Sequence, residues 1–170
     1  MIGDRGEALQ NAIIAIVHRR ADLRDGIDDQ VKRSIASGAT LLLGGHKVQG
    51  PGFFYEPTVL SGVEPGMAAF DEEIFGPVAA LTEARDVNHA IELANRSEYG
   101  LSGNLWTSDL VRAKMIARKL ETGGVFVNGY TSSNPRIPVG GVKTSGYGRE
   151  LSHFGIREFT NAQAVWVKHV

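Results

Sequence analysis

The sequence contains no cysteine. Disulfide bonds, thiolate metal sites and cysteine nucleophiles are therefore excluded within these 170 residues, and the absence fits a reducing compartment. No apolar run approaches the roughly 18 residues of a membrane span. The short apolar patch at residues 12–17 has acids before it and Arg19 and Arg20 after it, which is the reverse of a signal peptide. We therefore expect a cytoplasmic protein with no membrane segment.

Neither sign of charge is in excess, since 18 basic residues oppose 19 acidic ones. Without a basic field to hold a phosphate backbone, nucleic acid is not an expected partner. The five histidines are scattered without ligand spacing, so no metal site is predicted. A hydrophobic content of 42% and a length of 170 residues indicate one ordinary globular domain with a sizeable core.

The spacing of apolar residues alternates between helical and extended patterns. Helices are predicted over residues 7–37, after Asp86, after Ser108 or Asp109, and from about Arg149. Strands are predicted at "TLLLGG", "PVAALTEA", "LSGNLWT", "VFVNG" and "AQAVWVKHV", and "FFYEPTVLSGV" indicates an edge-like strand because Pro57 cannot donate to a ladder. This alternation predicts the α/β fold class, with a parallel, doubly wound sheet.

A glycine-rich loop, "GGVKTSGYGRE", invites comparison with phosphate-binding loops. The match fails because Val142 separates the glycines from Lys143 and Thr144, and no G-x-G-x-x-G fingerprint follows a strand. Taken alone, the loop is more typical of a glycine-rich turn. The stretch "DEEIFGP", three acids beside an apolar pair, is likewise typical of a charged turn when taken alone.

The order of four motifs changes that interpretation. The segments "EEIFGPV", "ANRSEYGLSGNLWT", "GGVFVNG" and "GGVKTSGYGRELSHFGIREFT" together resemble the C-terminal part of the aldehyde dehydrogenase superfamily, most closely its NAD(P)-dependent succinate-semialdehyde dehydrogenase branch. The resemblance implies a divergent N-terminal helix at residues 1–20, a partial catalytic domain at 21–158 and an oligomerisation strand at 159–170. It also implies a homodimer or a higher homo-oligomer.

The resemblance assigns two groups of residues to ligands. In the family, the second glutamate of "EEIFGP" bonds the nicotinamide ribose of NAD or NADP and the phenylalanine lies near the nicotinamide ring, which implies Glu73 and Phe75 here. The loop "SSNPRIPVGGVK" corresponds to the wall of the aldehyde tunnel, where polar groups hold the distal carboxylate of the substrate. The residues that this implies are Ser132, Ser133, Arg136 and Val139. The family usually has Phe before the paired glycines, so Val139 at this position would widen the tunnel or signal relaxed selection.

The family reaction also needs a cysteine nucleophile, a glutamate base and a Rossmann domain, which the resemblance places N-terminal to this region. None is readable in this sequence, so no catalytic residue is assigned. We expect no aldehyde oxidation and little or no cofactor binding by this chain alone. Three interpretations stay open: a truncated dehydrogenase, one chain of a split enzyme with a complementary partner, and a non-enzymatic binding or assembly module for a full-length homologue.

Overall fold

The computed structural model describes residues 17–18 and 20–169, and the chain divides into two compact units, Met1–Asp86 and Val87–Val170. Helices and strands alternate through both units, so the predicted α/β class is confirmed. No helix among the described residues is long and apolar enough to cross a membrane. In the same part of the chain, no group of three or more histidines and acids could hold a metal ion.

In its described residues, the first unit contains five short strands and two helices. The strands are β1 (Val17–His18), β2 (Thr40–Leu43), β3 (Phe53–Phe54), β4 (Thr58–Ser61) and β5 (Val78–Leu81), and the helices are α1 (Ala21–Ala36) and α2 (Ala68–Asp71). Strand β4 lies between β2, to which it is antiparallel, and β5, to which it is parallel. Strands β1 and β3 form a separate antiparallel pair.

Two predictions for this unit were wrong in detail. The helix predicted from residue 7 begins only at Ala21, because β1 precedes it as an extended segment; residues 1–16 and 19 lie outside the described part of the chain. The edge-like strand predicted around Pro57 is divided into β3 and β4, and β4 is central rather than at an edge. Pro57 lies just before β4, so its missing N–H removes no bond from the ladder. The next N–H, that of Thr58, donates to the carbonyl oxygen of Pro77 at 2.8 Å.

The core of the first unit forms between α1 and the three-stranded sheet. Ile27 and Val31, one helical turn apart, are buried from the helix side. The other buried members of this cluster are Ala39, Tyr55, Leu60, Val63, Met67 and Ala69. Ile74 and Val78 pack against it from the segment that leads into β5, so the "DEEIFGP" stretch is anchored to the core through its apolar residues.

The second unit repeats the alternation with shorter elements. They are α3 (Val87–Arg96), β6 (Tyr99–Gly100), β7 (Gly103–Leu105), α4 (Leu110–Ala117), β8 (Val125–Val127), β9 (Val142–Lys143) and α5 (Ser152–Glu158). Strands β7 and β8 are parallel, with α4 in the connection between them, as the alternation predicted. Strands β6 and β9 form an antiparallel pair. Asp109 caps α4, since its carboxylate accepts the Arg112 N–H at 2.9 Å.

The strand predicted at the end of the chain is absent within the single chain. Residues 161–169 are exposed and none of them belongs to a helix or a strand. A terminal strand needs a hydrogen-bonded neighbour to be stable, and no segment of the described chain pairs with this one. Its pairing with a neighbouring subunit therefore stays a prediction.

Candidate functional site

Three consecutive carboxylates lie at the end of α2, and each has a different environment. Asp71 accepts the N–H of Gly66 through Oδ2 at 2.9 Å. Glu72 accepts both terminal nitrogens of Arg33, at 2.7 and 2.8 Å, and the side-chain amide of Gln30 at 3.0 Å. Among the described residues, no group pairs with the carboxylate of Glu73. Within the described part of the chain, the third acid of the run is therefore the one that is free for a ligand.

Charge pairing explains why Glu72 is not equivalent to Glu73. The Arg33 fork, together with the Gln30 amide, lowers the pKa of Glu72 to about 2. The same pairing raises the pKa of Arg33, and the carboxylate of Asp29 at 2.7 Å from its Nε adds to this effect. Both members of the pair stay charged over the whole physiological range, so Glu72 is held by its protein partners.

Glu73 and Phe75 share one face of an extended segment. Glu72 already has extended backbone angles after α2, and side chains alternate along such a chain. Ile74 therefore turns toward the core, while Glu73 and Phe75 turn outward, with the Phe75 side chain 71% exposed. The turn at Gly76 and Pro77 ends the segment, because the Gly76 N–H donates to the carbonyl of Ile74 at 3.0 Å.

Both outward side chains border an open depression of about 330 Å³. Its other wall is formed by α1, from Asp22 to Arg33. The full lining comprises Asp22, Leu23, Gly26, Ile27, Asp29, Gln30, Arg33, Glu72, Glu73 and Phe75. A free carboxylate accepts hydrogen bonds from neighbouring hydroxyls, and an exposed ring offers a flat apolar surface. An accepting carboxylate beside an apolar ring fits a ligand in which a sugar diol is joined to a planar ring.

The loop that follows β8 is the second candidate site, and polar side chains fix its root. Asn128 ends β8 with a φ of 53°, a left-handed conformation that asparagine tolerates well. Its amide pairs with both backbone groups of Thr107: Oδ1 accepts the N–H and Nδ2 donates to the carbonyl, each at 2.8 Å. Thr131 then bonds the Ser102 hydroxyl at 2.9 Å and Asn104 at 3.2 Å.

The middle of this loop carries the polar residues that the sequence singled out. Ser132, Ser133 and Arg136 are exposed, and their side chains have no hydrogen-bond partner among the described residues. Val139 is half-buried and lies in a backbone bridge, exchanging hydrogen bonds with Glu150 at 2.9 and 2.7 Å. Sequence reasoning missed Asn128 and Thr131, although an asparagine directly after an apolar strand is a recognisable signal for a left-handed turn.

The paired glycines of the later motifs permit close backbone contact. A Cβ on Gly123 would lie 1.6 Å from the carbonyl oxygen of Gly140, so neither "GGVFVNG" nor "GGVK" accepts a side chain there. Lys143 donates from Nζ to the carbonyls of Asn95 and Ser97, at 2.6 and 3.0 Å, near the C-terminus of α3. The glycine-rich loop is thus an element of local packing, and its lysine is already occupied by backbone carbonyls.

Comparison with known sequences agrees with this arrangement. The sequence pattern described as the aldehyde dehydrogenase family matches residues 4–165, nearly the whole chain. This chain belongs to the aldehyde dehydrogenase family. It is 58% identical over 147 residues to the NAD(P)+ succinate semialdehyde dehydrogenase Sad of Escherichia coli (strain K12), covering 86% of this chain and 32% of that enzyme. It is 49% identical over 144 residues to the NADP+ succinate-semialdehyde dehydrogenase of Mycobacterium avium (strain 104), with coverages of 85% and 30%.

Solved aldehyde dehydrogenase structures share the fold. The succinic semialdehyde dehydrogenase of Streptococcus pyogenes, determined with NADP+ as the cofactor, superimposes with a TM-score of 0.84 at 39% identity. The match covers 88% of this chain and 33% of that one. The predicted family and branch are therefore confirmed, and this aldehyde dehydrogenase chain spans about a third of the length of the relatives it matches.

Proposed function

We propose that this chain supplies a nicotinamide-ribose contact and an aldehyde-binding loop for NAD(P)+-dependent oxidation of succinate semialdehyde. The observation that carries the proposal is the free carboxylate of Glu73 beside the exposed ring of Phe75, next to two acids that are already occupied. The identity of 58% to a succinate semialdehyde dehydrogenase supports the choice of substrate.

Each group has a definite role in this proposal. Glu73 accepts hydrogen bonds from the vicinal ribose hydroxyls, and Phe75 limits the positions that the nicotinamide ring can take. When bound beside these two residues, NAD(P)+ would supply the hydride acceptor for the oxidation. Ser132, Ser133 and Arg136, which have no competing partners among the described residues, hold the far carboxylate of the substrate. Val139 leaves more room than an aromatic residue would at the same point of the tunnel.

The nucleophile is not among these 170 residues, because the sequence has no cysteine. Without a thiolate, no covalent adduct forms from which hydride is expelled. We therefore propose that the nucleophile, the base and the dinucleotide-binding domain are supplied by residues outside this sequence, on the same or on a complementary polypeptide. An assembly role beside a full-length homologue is the second candidate, favoured by the many exposed apolar side chains of the second unit.

Formation of reduced nicotinamide with succinate semialdehyde tests this function. The 170-residue chain alone is expected to give no turnover above a buffer control. Mixing it with a fragment that carries the remaining two thirds of the Escherichia coli relative is expected to produce turnover. Glu73→Gln should lower that rate at least tenfold, whereas Glu64→Gln, on another exposed acid of the same unit, should not change it.

Two results would contradict the proposal. Turnover by the isolated chain, free of host dehydrogenase, would show that a nucleophile other than cysteine operates here. An active mixture that is indifferent to Glu73→Gln would remove the ribose contact. If the mixture stays inactive while the chain copurifies with a full-length homologue, the assembly role is the better description.

A further inference from the structure

One face of α1 holds the segment that carries Glu73. Gln30, Arg33 and Ser34 follow one another at helical spacing and all three bond residues between Ala69 and Glu73. We propose that these three are positioning residues, which fix the backbone of Glu73 and occupy Glu72, so that among the described residues Glu73 carries the one unpaired carboxylate that borders the depression. This inference rests on the proposed function only for what Glu73 is held to bind.

Ser34 sets the position of α2 against α1. Its side chain is completely buried; its hydroxyl donates to the carbonyl of Gln30 at 2.8 Å and accepts the N–H of Ala69 at 2.8 Å. That N–H belongs to the first turn of α2, where no helical carbonyl is available to accept it. A buried N–H without an acceptor is destabilising, so the bond from Ala69 to the Ser34 hydroxyl fixes α2 against α1.

Gln30 bridges the two glutamates. One of its two amide N–H groups points to Oε2 of Glu72 at 3.0 Å, and the other points to the backbone carbonyl of Glu73 at 3.1 Å. The second bond is made to the residue that carries the free carboxylate. It therefore restrains the peptide plane of Glu73 while leaving its side chain unengaged.

Arg33 neutralises the carboxylate of Glu72, which would otherwise compete with the carboxylate of Glu73. Its guanidinium spans both oxygens of Glu72 and is itself held by Asp29, so the fork has little freedom to rotate. Glu72 and Glu73 both border the depression, and without Arg33 neither would have a cationic partner among the described residues. Repulsion between them would widen the range of Glu73 orientations, and Glu72 would compete for the same hydroxyl donors.

Backbone dynamics of the 170-residue chain test the positioning directly. The ¹⁵N order parameter of the Glu73 amide is expected near 0.85 in the wild type, and to fall toward 0.6 in Gln30→Ala and Arg33→Gln. Lys32→Gln is the matched control, because Lys32 forms an ion pair with Asp28 on the same helix, neither residue lines the depression, and Lys32 does not bond residues 69–73. Arg33→Lys keeps the charge but loses the fork, so an intermediate value is expected.

Ligand titration measures a dissociation constant, which would not change in the folded variants if Gln30 and Arg33 contributed only to stability. Nicotinamide mononucleotide is the probe, followed by chemical-shift changes at Glu73 and Phe75 under conditions where every variant is folded. The wild-type dissociation constant is expected above about 1 mM, since one contact supplies little affinity. Gln30→Ala and Arg33→Gln should raise it at least threefold, and Lys32→Gln should leave it unchanged.

The two readouts separate this inference from the proposed function. An order parameter at Glu73 that neither variant changes would overturn the positioning role, whatever the titration gives. If that value falls as expected while the wild type shows no shift with tens of millimolar probe, the positioning role stands and the ribose contact is refuted. A loss of stability in the variants, with the order parameter and the affinity of the folded protein unchanged, would also overturn the positioning role.

Discussion

The two units of this chain differ in how much apolar surface they bury. The first unit encloses a cluster of eight buried residues between α1 and its sheet, with Val31 and Leu60 completely inaccessible. In the described part of the second unit, Ala113 is the one hydrophobic residue that is fully buried. Helix α3 has no buried residue at all. The first unit therefore holds itself together by its own core, and the second does so to a much smaller degree.

The two units also differ in how many large apolar side chains they expose. Of the large hydrophobic residues that are exposed in the described chain, six lie in the first unit and fifteen in the second. The second set includes Trp106, Val111, Tyr130 and Trp166. Extensive exposed apolar surface on a folded chain marks an interaction site. The difference favours the prediction that other protein covers part of the second unit rather than the first.

The largest effect expected from this difference is self-association through the second unit. We predict a homodimer or larger oligomer with a dissociation constant of about 10 μM or lower, about 7 kcal/mol, held in part by the exposed segment at residues 161–169. Deleting the residues after Asn161, or Trp166→Ser, should shift sedimentation toward the monomer. Leu42→Ser, at an exposed apolar position of the first unit, should not.

The result that would contradict this prediction is a clean monomer of the wild-type chain at high micromolar concentration. An oligomer that persists after the deletion would place the interface elsewhere.

The second prediction compares one apolar truncation in each unit. Leu60→Ala removes a completely buried side chain and should lower the free energy of unfolding by about 2–5 kcal/mol. Val111→Ala removes a side chain that is 74% exposed on α4, and should change the free energy by no more than about 0.5 kcal/mol in the monomer. Denaturant unfolding at a concentration below the association range measures both. Similar costs at the two positions would show that the second unit has a core of comparable quality.

Much of this architecture is predictable because its signals are local. Helices α3 and α4, the Asp109 cap and the β7–β8 connection follow from periodicity and from residue types that act on their neighbours. The choice of Glu73 within its run of acids came from the resemblance to a family. The structure adds a physical reason, since Arg33 and Gly66 occupy the other two acids.

What sequence reasoning missed depends on partners that are distant along the chain. Gln30 and Arg33 lie about forty residues before Glu72, and no periodicity connects them. The central position of β4 depends on pairing with β2 and β5, whereas Pro57 alone indicates an edge. The strand predicted at the end of the chain needs a hydrogen-bonded neighbouring strand. Alternation of apolar and polar residues was therefore not sufficient to form it.

The third prediction concerns Asn128, at the start of the loop that follows β8. Asn128→Ala loses both bonds to the Thr107 backbone and also the tolerance for a left-handed conformation, so we expect a loss of about 1–2 kcal/mol. Asn128→Gly loses the same bonds but accepts the conformation, so its cost should be smaller. Unfolding curves and hydrogen exchange at residues 129–136 separate the two contributions. A larger cost for glycine than for alanine would contradict the conformational part.

The smallest effect is a pH dependence that belongs to the first unit. Glu72 has a pKa of about 2 in the folded chain, against an ordinary value of 4.5, because Arg33 and Gln30 bond its charged form. A carboxyl whose pKa is lowered on folding contributes stability above its unfolded pKa and loses it as the pH falls toward the folded value. Stability from this pair should therefore be complete at neutral pH and decline between about 4.5 and about 2.

Solvent limits the size of this effect, since the side chains of Arg33 and Glu72 are 48% and 43% exposed. Screening at that exposure reduces the contribution to about 1 kcal/mol or less, and added salt should reduce it further.

Asp22, Asp25 and Asp28 also have lowered pKa values, so acid unfolding of the wild type alone is not specific. The measurement is the difference between wild type and Glu72→Gln across the window. That difference should vanish toward pH 2 and reappear above pH 4.5; a difference that is constant with pH would mean that Glu72 contributes through packing and not through its charge.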